Sequence, residues 1–226
     1  FTYFPTDYRW SFNTMAAIAG CCSGASDMGE IEQICRNLLL SVGDDKKWFK
    51  EWVSMADRLQ KNAELEKRNK HNLTAASLYK RSSNYYQMAD RFKFPKDKKA
   101  LETYKESIKC FKNFAKLTDS PKLEVVNIPF EKNKKLPAYF VPAVGSKKAK
   151  APVVVLYNGF DGTKEMSFHW AADAFTRRGM NCLIVDSPGV GESIRFRDIF
   201  LRYDYEVAGS AALDYLEKRS DVNSKK

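Results

Sequence analysis

The chain has 226 residues, 44% of them hydrophobic, which suffices for a packed core in one large or two small domains. Its longest apolar runs fall far short of the roughly 20 residues of a membrane helix, and its start lacks the basic, apolar and small-residue regions of a secretion signal, so a cytoplasmic protein without a membrane partner is expected. The formal charge of +10 raises a nucleic-acid reading. The lysines, however, gather where loops are expected, at Lys132-Asn133-Lys134-Lys135, Lys147-Lys148-Ala149-Lys150 and Lys225-Lys226. Net charge speaks first to solubility, and no nucleic-acid partner is expected.

The first 120 residues read as helical. Glu30 to Ser41 sets Ile31, Ile34, Cys35, Leu38 and Leu39 on one face, and Gly43-Asp44 closes that helix and caps the next. The next helix carries Trp48, Trp52, Met55 and Leu59. A third, from about Asn72 to Arg91, uses Leu73, Ala76, Tyr79, Tyr86 and Ala89. A fourth, from about Lys96 to Leu117, uses Ala100, Tyr104, Ile108, Phe111 and Phe114. Such stripes must be buried against one another or against a sheet.

Near Asp119-Ser120-Pro121 the period changes. Val126, Ile128 and Phe130 alternate with polar or small residues, Glu131 to Lys135 reads as a turn, and Leu136 to Val141 as the returning strand. Gly145-Ser146-Lys147-Lys148 then links to Val153–Tyr157, an apolar β-branched run typical of a strand buried in a parallel sheet. Asn158-Gly159-Phe160-Asp161-Gly162 breaks that strand. Glu165 to Arg178 follows as a helix with Phe168, Ala171, Ala172 and Phe175 on one face, ended by Gly179. Cys182–Val185 is a second buried strand, predicted to pair in parallel with Val153–Tyr157, and it runs into Asp186-Ser187-Pro188-Gly189-Val190-Gly191-Glu192-Ser193.

The Asn-Gly-Phe-Asp-Gly-Thr-Lys-Glu turn, the Asp-Ser-Pro-Gly-Val-Gly-Glu-Ser loop, and Arg202-Tyr203-Asp204-Tyr205-Glu206 with Asp214-Tyr215-Leu216-Glu217 and Arg219 together resemble the FrsA-like branch of the α/β-hydrolases. The resemblance covers the chain from about Gly29 onward. It implies an α/β fold in which a helical cap, residues 1–120, precedes the first half of an α/β-hydrolase sheet, residues 121–226. The branch includes fungal polyketide-shortening hydrolases and hydrolases that cut a carbon–carbon bond beside a ketone.

In such enzymes the next strand leads into a Gly-x-Ser-x-Gly elbow, and no such pattern occurs in these residues. Gly20-Cys21-Cys22-Ser23-Gly24 places its serine one position too late. A chain that starts at Phe1 and ends at Lys226, where the elbow strand is expected to begin beside Cys182–Val185, reads as the first part of an enzyme, inactive alone. The remaining C-terminal half is then its first partner, and a homo-oligomer stays open.

The turn after Tyr157 is the strongest site candidate, because acyl transfer needs backbone donors aimed at the developing oxyanion. By resemblance the Phe160 backbone N–H is one such donor. Gly159 would allow close backbone approach, and Asp161 and Glu165 would orient the turn or face substrate. An alternative is an ordinary strand-to-helix connection in which Asp161 and Thr163 cap the helix. Tyr85 and Tyr86 are candidate substrate contacts, since of two adjacent helical tyrosines one must face away from the core. The loop at Asp186 lacks the residues that bind phosphate in nucleotide motifs and reads as the rim of the active-site mouth.

His71 and His169 read as surface or helix-capping residues, having no recognisable nucleophile partner. The five cysteines, Cys21, Cys22, Cys35, Cys110 and Cys182, show no metal-ligand spacing. They fit a reducing compartment, with Cys35 and Cys182 as small hydrophobes. No metal or cofactor is expected. Three classes follow: a serine hydrolase acting on a small-molecule carbonyl substrate, an ester or the carbon–carbon bond of a ketone; a non-catalytic binding protein on the same fold; and a basic interaction module.

Overall fold

The structure is a computed structural model that describes residues 2–118, 122–145 and 150–223. The chain divides into two compact units, residues 1–118 and 119–226. The expected boundary at Asp119-Ser120-Pro121, the linker residues Ser146-Lys147-Lys148 and the terminal Lys225-Lys226 lie outside the described residues.

The first unit is helical: α1 Tyr8–Ala19, α2 Met28–Leu38, α3 Asp45–Arg68, α4 Asn72–Asp90 and α5 Lys98–Leu117. The first helix, α1, precedes every helix read from the pattern. Asp7 caps it by accepting from Trp10 N, and it buries Trp10, Thr14 and Ala17. In α2 the expected face is buried except for Leu39, which lies in a tighter 3₁₀ turn over Leu39–Ser41 and is exposed. Such a turn advances side chains faster than an α-helix and swings this one off the face. Asp44 caps α3 as expected, accepting from the amides of Lys46 and Lys47. Trp48, Trp52, Met55 and Leu59 are all buried. In α4 Leu73 is exposed, whereas every residue from Ser82 to Asp90 is buried. The stripe of α5 is buried throughout. Rings of Trp10, Trp48, Trp52 and Tyr85 form a chain of contacts with centroids 5.0–5.4 Å apart.

The second unit opens with the hairpin β1 Glu124–Phe130 and β2 Lys134–Val141, followed by β3 Val153–Tyr157 and β4 Asn181–Val185. The sheet order is β1-β2-β4-β3. β1 and β2 pair antiparallel, as do β2 and β4, while β3 and β4 run parallel with Tyr157 opposite Val185. Side chains alternate across the sheet. Leu136, Ala138, Phe140, Leu183 and Val185 share one core with Ala208, Ala212 and Leu216 of the helix Glu206–Glu217.

The expected parallel pairing holds, but the position of the next strand is corrected. β4 has β2 on one side and β3 on the other, so the open lane lies beyond β3. The chain itself enters that lane. Val222 pairs in parallel with Ala151, Ala151 N donates to Asp221 O at 3.3 Å, and Asn223 N donates to Ala151 O at 2.9 Å.

The crossover between β3 and β4 is a single helical path, α6 Lys164–Ser167, a π-helical turn Phe168–Ala172 and α7 Asp173–Thr176. The π turn inserts an extra residue into the helical period. Phe168 and Ala172 therefore stay buried while Ala171 and Phe175 are only partly so. The short α8 Gly191–Phe196 and then α9 Glu206–Glu217 complete the unit.

Candidate active site: a glycine turn over a buried lysine

Because β3 and β4 are parallel and in register, the turns that leave them emerge at the same edge of the sheet. That edge, outside the carboxyl ends of the strands, is where open α/β sheets bind ligands. The turn after β3 runs from Asn158 to Thr163. Its Phe160 side chain is 73% exposed, and among the described residues the Phe160 N–H donates to no group. Gly162 N donates to Gly159 O at 3.1 Å. Thr163 caps α6, its Oγ1 accepting from Met166 N at 3.3 Å, and Asp161 sits exposed on the turn. Asn158 Oδ1 accepts from Ser167 Oγ, and Asn158 Nδ2 is buried without an acceptor among the described residues.

The glycine that the turn requires is Gly162. A Cβ there would lie 2.7 Å from Asn158 Cβ, whereas a Cβ at Gly159 would meet nothing within 4 Å. The expected close approach at Gly159 is therefore not made by any described residue.

Below the turn lies Lys164, 1% exposed. Its Nζ is 3.0 Å from Glu165 Oε1, 2.8 Å from Asp186 Oδ2 and 3.0 Å from Glu192 Oε2. Tyr139 donates its hydroxyl to Glu165 Oε1 at 2.7 Å, and Arg197 Nη2 lies 2.7 Å from Glu192 Oε1. Asp186, the first residue after β4, is fully buried and accepts the backbone amides of both Lys164, at 2.8 Å, and Glu192, at 2.9 Å. A Cβ at Gly191 would sit 2.3 Å from the Asp186 carboxylate, and this glycine has a φ of +52°, so no other residue fits there without displacing the loop. Burial pushes the Asp186 carboxyl above its ordinary range, against the pull of Lys164. Burial pushes Glu192 the same way, but Lys164 and Arg197 outweigh it and hold that carboxyl at about 2.

The loop residues Asp186 and Ser187 are both fully buried rather than lying at a rim. Ser187 and Tyr205 join through their hydroxyls, and the Tyr205 ring lies 6.3 Å from that of Tyr157. Burial, with Tyr205 adding, pushes the Tyr157 phenol up to about 12.

Of the sequence candidates, the structure brings together Gly159, Phe160, Asp161 and Glu165. Glu165 is wholly buried and belongs to the lysine cluster. Tyr85 and Tyr86 belong to the helical unit, and both are buried, so neither faces away from its core as expected. Tyr85 OH accepts from Asp27 N and donates to Glu30, and the Tyr86 hydroxyl lies 2.5 Å from Asp57 Oδ1 and 2.6 Å from Gln60 Oε1. The two tyrosines meet different neighbours because α4 is enclosed on all sides over this stretch. His169 is not a surface or capping residue either: it is buried in the π turn, edge-on to Phe168. His71 is exposed and bonds through its ring to Glu66, without a side-chain cap. Lys164 and Asp186 escaped the sequence reading as site residues. The signal for them was a lysine at the first turn of a helix that follows a glycine turn, with an aspartate ending the next buried strand.

This hairpin-led sheet, in the order β1-β2-β4-β3 with β3 and β4 parallel, has an α/β-hydrolase fold. The structure of 2,6-dihydroxy-pseudo-oxynicotine hydrolase matches it with a TM-score of 0.73 at 23% identity, over 91% of this chain and 54% of that one. The family model described as "Esterase FrsA-like" matches residues 38–205, and the chain belongs to that family. It is similar to the alpha/beta hydrolase xenA of Xenoacremonium sinensis, 29% identical over 97% of this chain and 51% of the relative. It is also similar to the 20-hydroxy-prefusarin hydrolase FUS2 of Gibberella moniliformis, 30% identical over 77% of this chain and 42% of the relative. The chain thus spans about half the length of these relatives. Among the described residues no helix is long and apolar enough to cross a membrane.

Proposed function

We propose that this chain supplies the N-terminal part of a serine hydrolase, with residues 1–120 as its helical cap domain and residues 121–226 as the first half of its catalytic core. The substrate class is a small carbonyl compound, an ester or a ketone such as a polyketide whose neighbouring carbon–carbon bond is cut; the Gibberella relative, named a 20-hydroxy-prefusarin hydrolase, supports a small-molecule substrate. A serine on the strand that would follow in the lane beyond β3 attacks the carbonyl carbon, and the Phe160 amide holds the resulting oxyanion. The acyl-enzyme is then released by water.

The observation that carries this reading is a backbone donor, Phe160 N–H, left without an acceptor among the described residues at the carboxyl end of β3. That donor stands next to the lane the chain enters at Val222. A cytoplasmic setting fits five cysteines that form no disulfide.

The test is labelling by a serine-directed fluorophosphonate. The full-length protein is expected to be labelled on a serine downstream of Lys226, and residues 1–226 alone are expected to remain unlabelled. A full-length protein that folds and is not labelled would support the non-catalytic binding reading instead.

A further inference from the structure

The exposed turn at Gly159-Phe160-Asp161 projects from the fold, and its placement depends on how its ends are held. One end is Asn158, tied to Ser167. The other is Lys164, and here one carboxylate does two things at once: Asp186 accepts from the Lys164 backbone amide and from its ammonium. The same carboxylate accepts from Glu192 N, so the turns leaving β3 and β4 are stapled at a single point. Gly191 makes this close approach sterically possible.

The cluster is expensive. An ammonium and two carboxylates are withdrawn from water and a third, Glu192, is partly so, with Arg197 as a further partner for Glu192. Replacing such buried ion groups by apolar side chains of similar volume is often neutral or stabilising, so stability alone is a weak reason for keeping one. Directional bonds from the Lys164 backbone amide and ammonium to one buried carboxylate do something apolar packing does not. They tie the backbone at residue 164 to the backbone at residue 192 through Asp186.

We infer that Lys164, clamped by Glu165, Asp186 and Glu192, is a positioning residue that fixes where the Phe160 amide points. This rests on the oxyanion role given to that amide above. Lys164 itself is closed off beneath the turn.

The experiment uses the full-length protein and hydrolysis of p-nitrophenyl butyrate, with folded active sites counted by fluorophosphonate titration. In Lys164→Met, kcat per folded site is expected to fall by about 10²-fold, the cost of roughly 1 Å of misplacement. KM is expected to change by less than about threefold, because the lost interaction acts in the transition state. The Phe160 amide resonance should also move in the folded variant. If Lys164→Met does not fold, Asp186→Asn, which keeps the shape but turns one acceptor into a donor, decides by the same readouts.

A parallel arm replaces the residue 160 amide by an ester, which deletes only the N–H. If the ester lowers kcat while folded Lys164→Met or Asp186→Asn keeps full kcat, or raises only KM, the positioning role is overturned and the oxyanion reading stands. If the ester leaves kcat unchanged, the oxyanion reading falls and the positioning role with it.

Discussion

In the helical unit, α4 is enclosed from Ser82 to Asp90, where Ser82, Asn84 and Gln87 bond to neutral groups, Tyr85 and Tyr86 reach single carboxylates, and Asp90 pairs with the half-exposed Lys96. Ser82 Oγ donates to Ala56 O at 2.8 Å, Asn84 Nδ2 to Ser26 Oγ at 2.8 Å, and Gln87 Nε2 lies 3.0 Å from Ser107 Oγ. At the carboxyl ends of β3 and β4, by contrast, the sheet unit encloses an ammonium and two carboxylates, with a third partly buried beside them, beneath an exposed glycine turn. Satisfied neutral groups are close to cost-free to bury and mainly fix how helices pack. Buried charges cost more, and the positioning role proposed for Lys164 is a reason to keep these. The comparison teaches that the first unit's interior is organised for packing and the second unit's for geometry at one edge.

The largest effect that sharpens this contrast is expected at Trp48, which touches Phe4, Trp10, Trp52 and Phe92 and donates its indole N–H to Met88 O. Trp48→Ala should cost about 3–5 kcal/mol in urea unfolding of the full-length protein. Its kcat per folded site should stay unchanged, the opposite of the pattern expected for Lys164→Met. A folded Trp48→Ala protein with a hundredfold lower kcat would break the division of roles.

A smaller effect separates the units by pH. Glu192 is held at about 2 in the folded protein, below the roughly 4.3 of an unfolded chain. A depressed carboxyl contributes stability that is present above the unfolded value and is lost as pH falls through the folded one. The unfolding free energy of the wild type relative to Glu192→Gln should therefore be constant above about pH 5 and shrink by up to roughly 3 kcal/mol toward pH 2. A difference that does not change between pH 6 and pH 3 would contradict the charged clamp.

How much of this was legible in the sequence follows the same contrast. The stripes of α2, α3 and α5 and the alternation of β1 were readable because each element buries one face. α4 was misread at Leu73, which lies in the exposed first turn ahead of the packed part of the helix. The helix α1 was missed because its exposed Tyr8, Phe12 and Met15 blur the polar face. At the candidate site, the glycine turn and its Phe160 amide were legible from the break after β3. The lysine cluster was not, because a lysine or aspartate in sequence reads as surface, and only the parallel register of β3 and β4 brings Lys164, Asp186 and Glu192 together.

The smallest expected effect lies far from the site, at the cap of α3. Asp44→Ala removes the acceptor for the Lys46 and Lys47 amides and should lower stability by about 1 kcal/mol in the same urea experiment, with no change in kcat per folded site.

The most direct measurement is a crystal structure of the full-length protein carrying a phosphonate on its nucleophile, since the phosphonyl oxygen marks where the oxyanion forms. The account predicts that oxygen about 2.7–3.1 Å from the Phe160 amide nitrogen, with Lys164 still bound by Glu165, Asp186 and Glu192. An oxygen held by other donors, with the Phe160 amide turned away from it, would contradict the account.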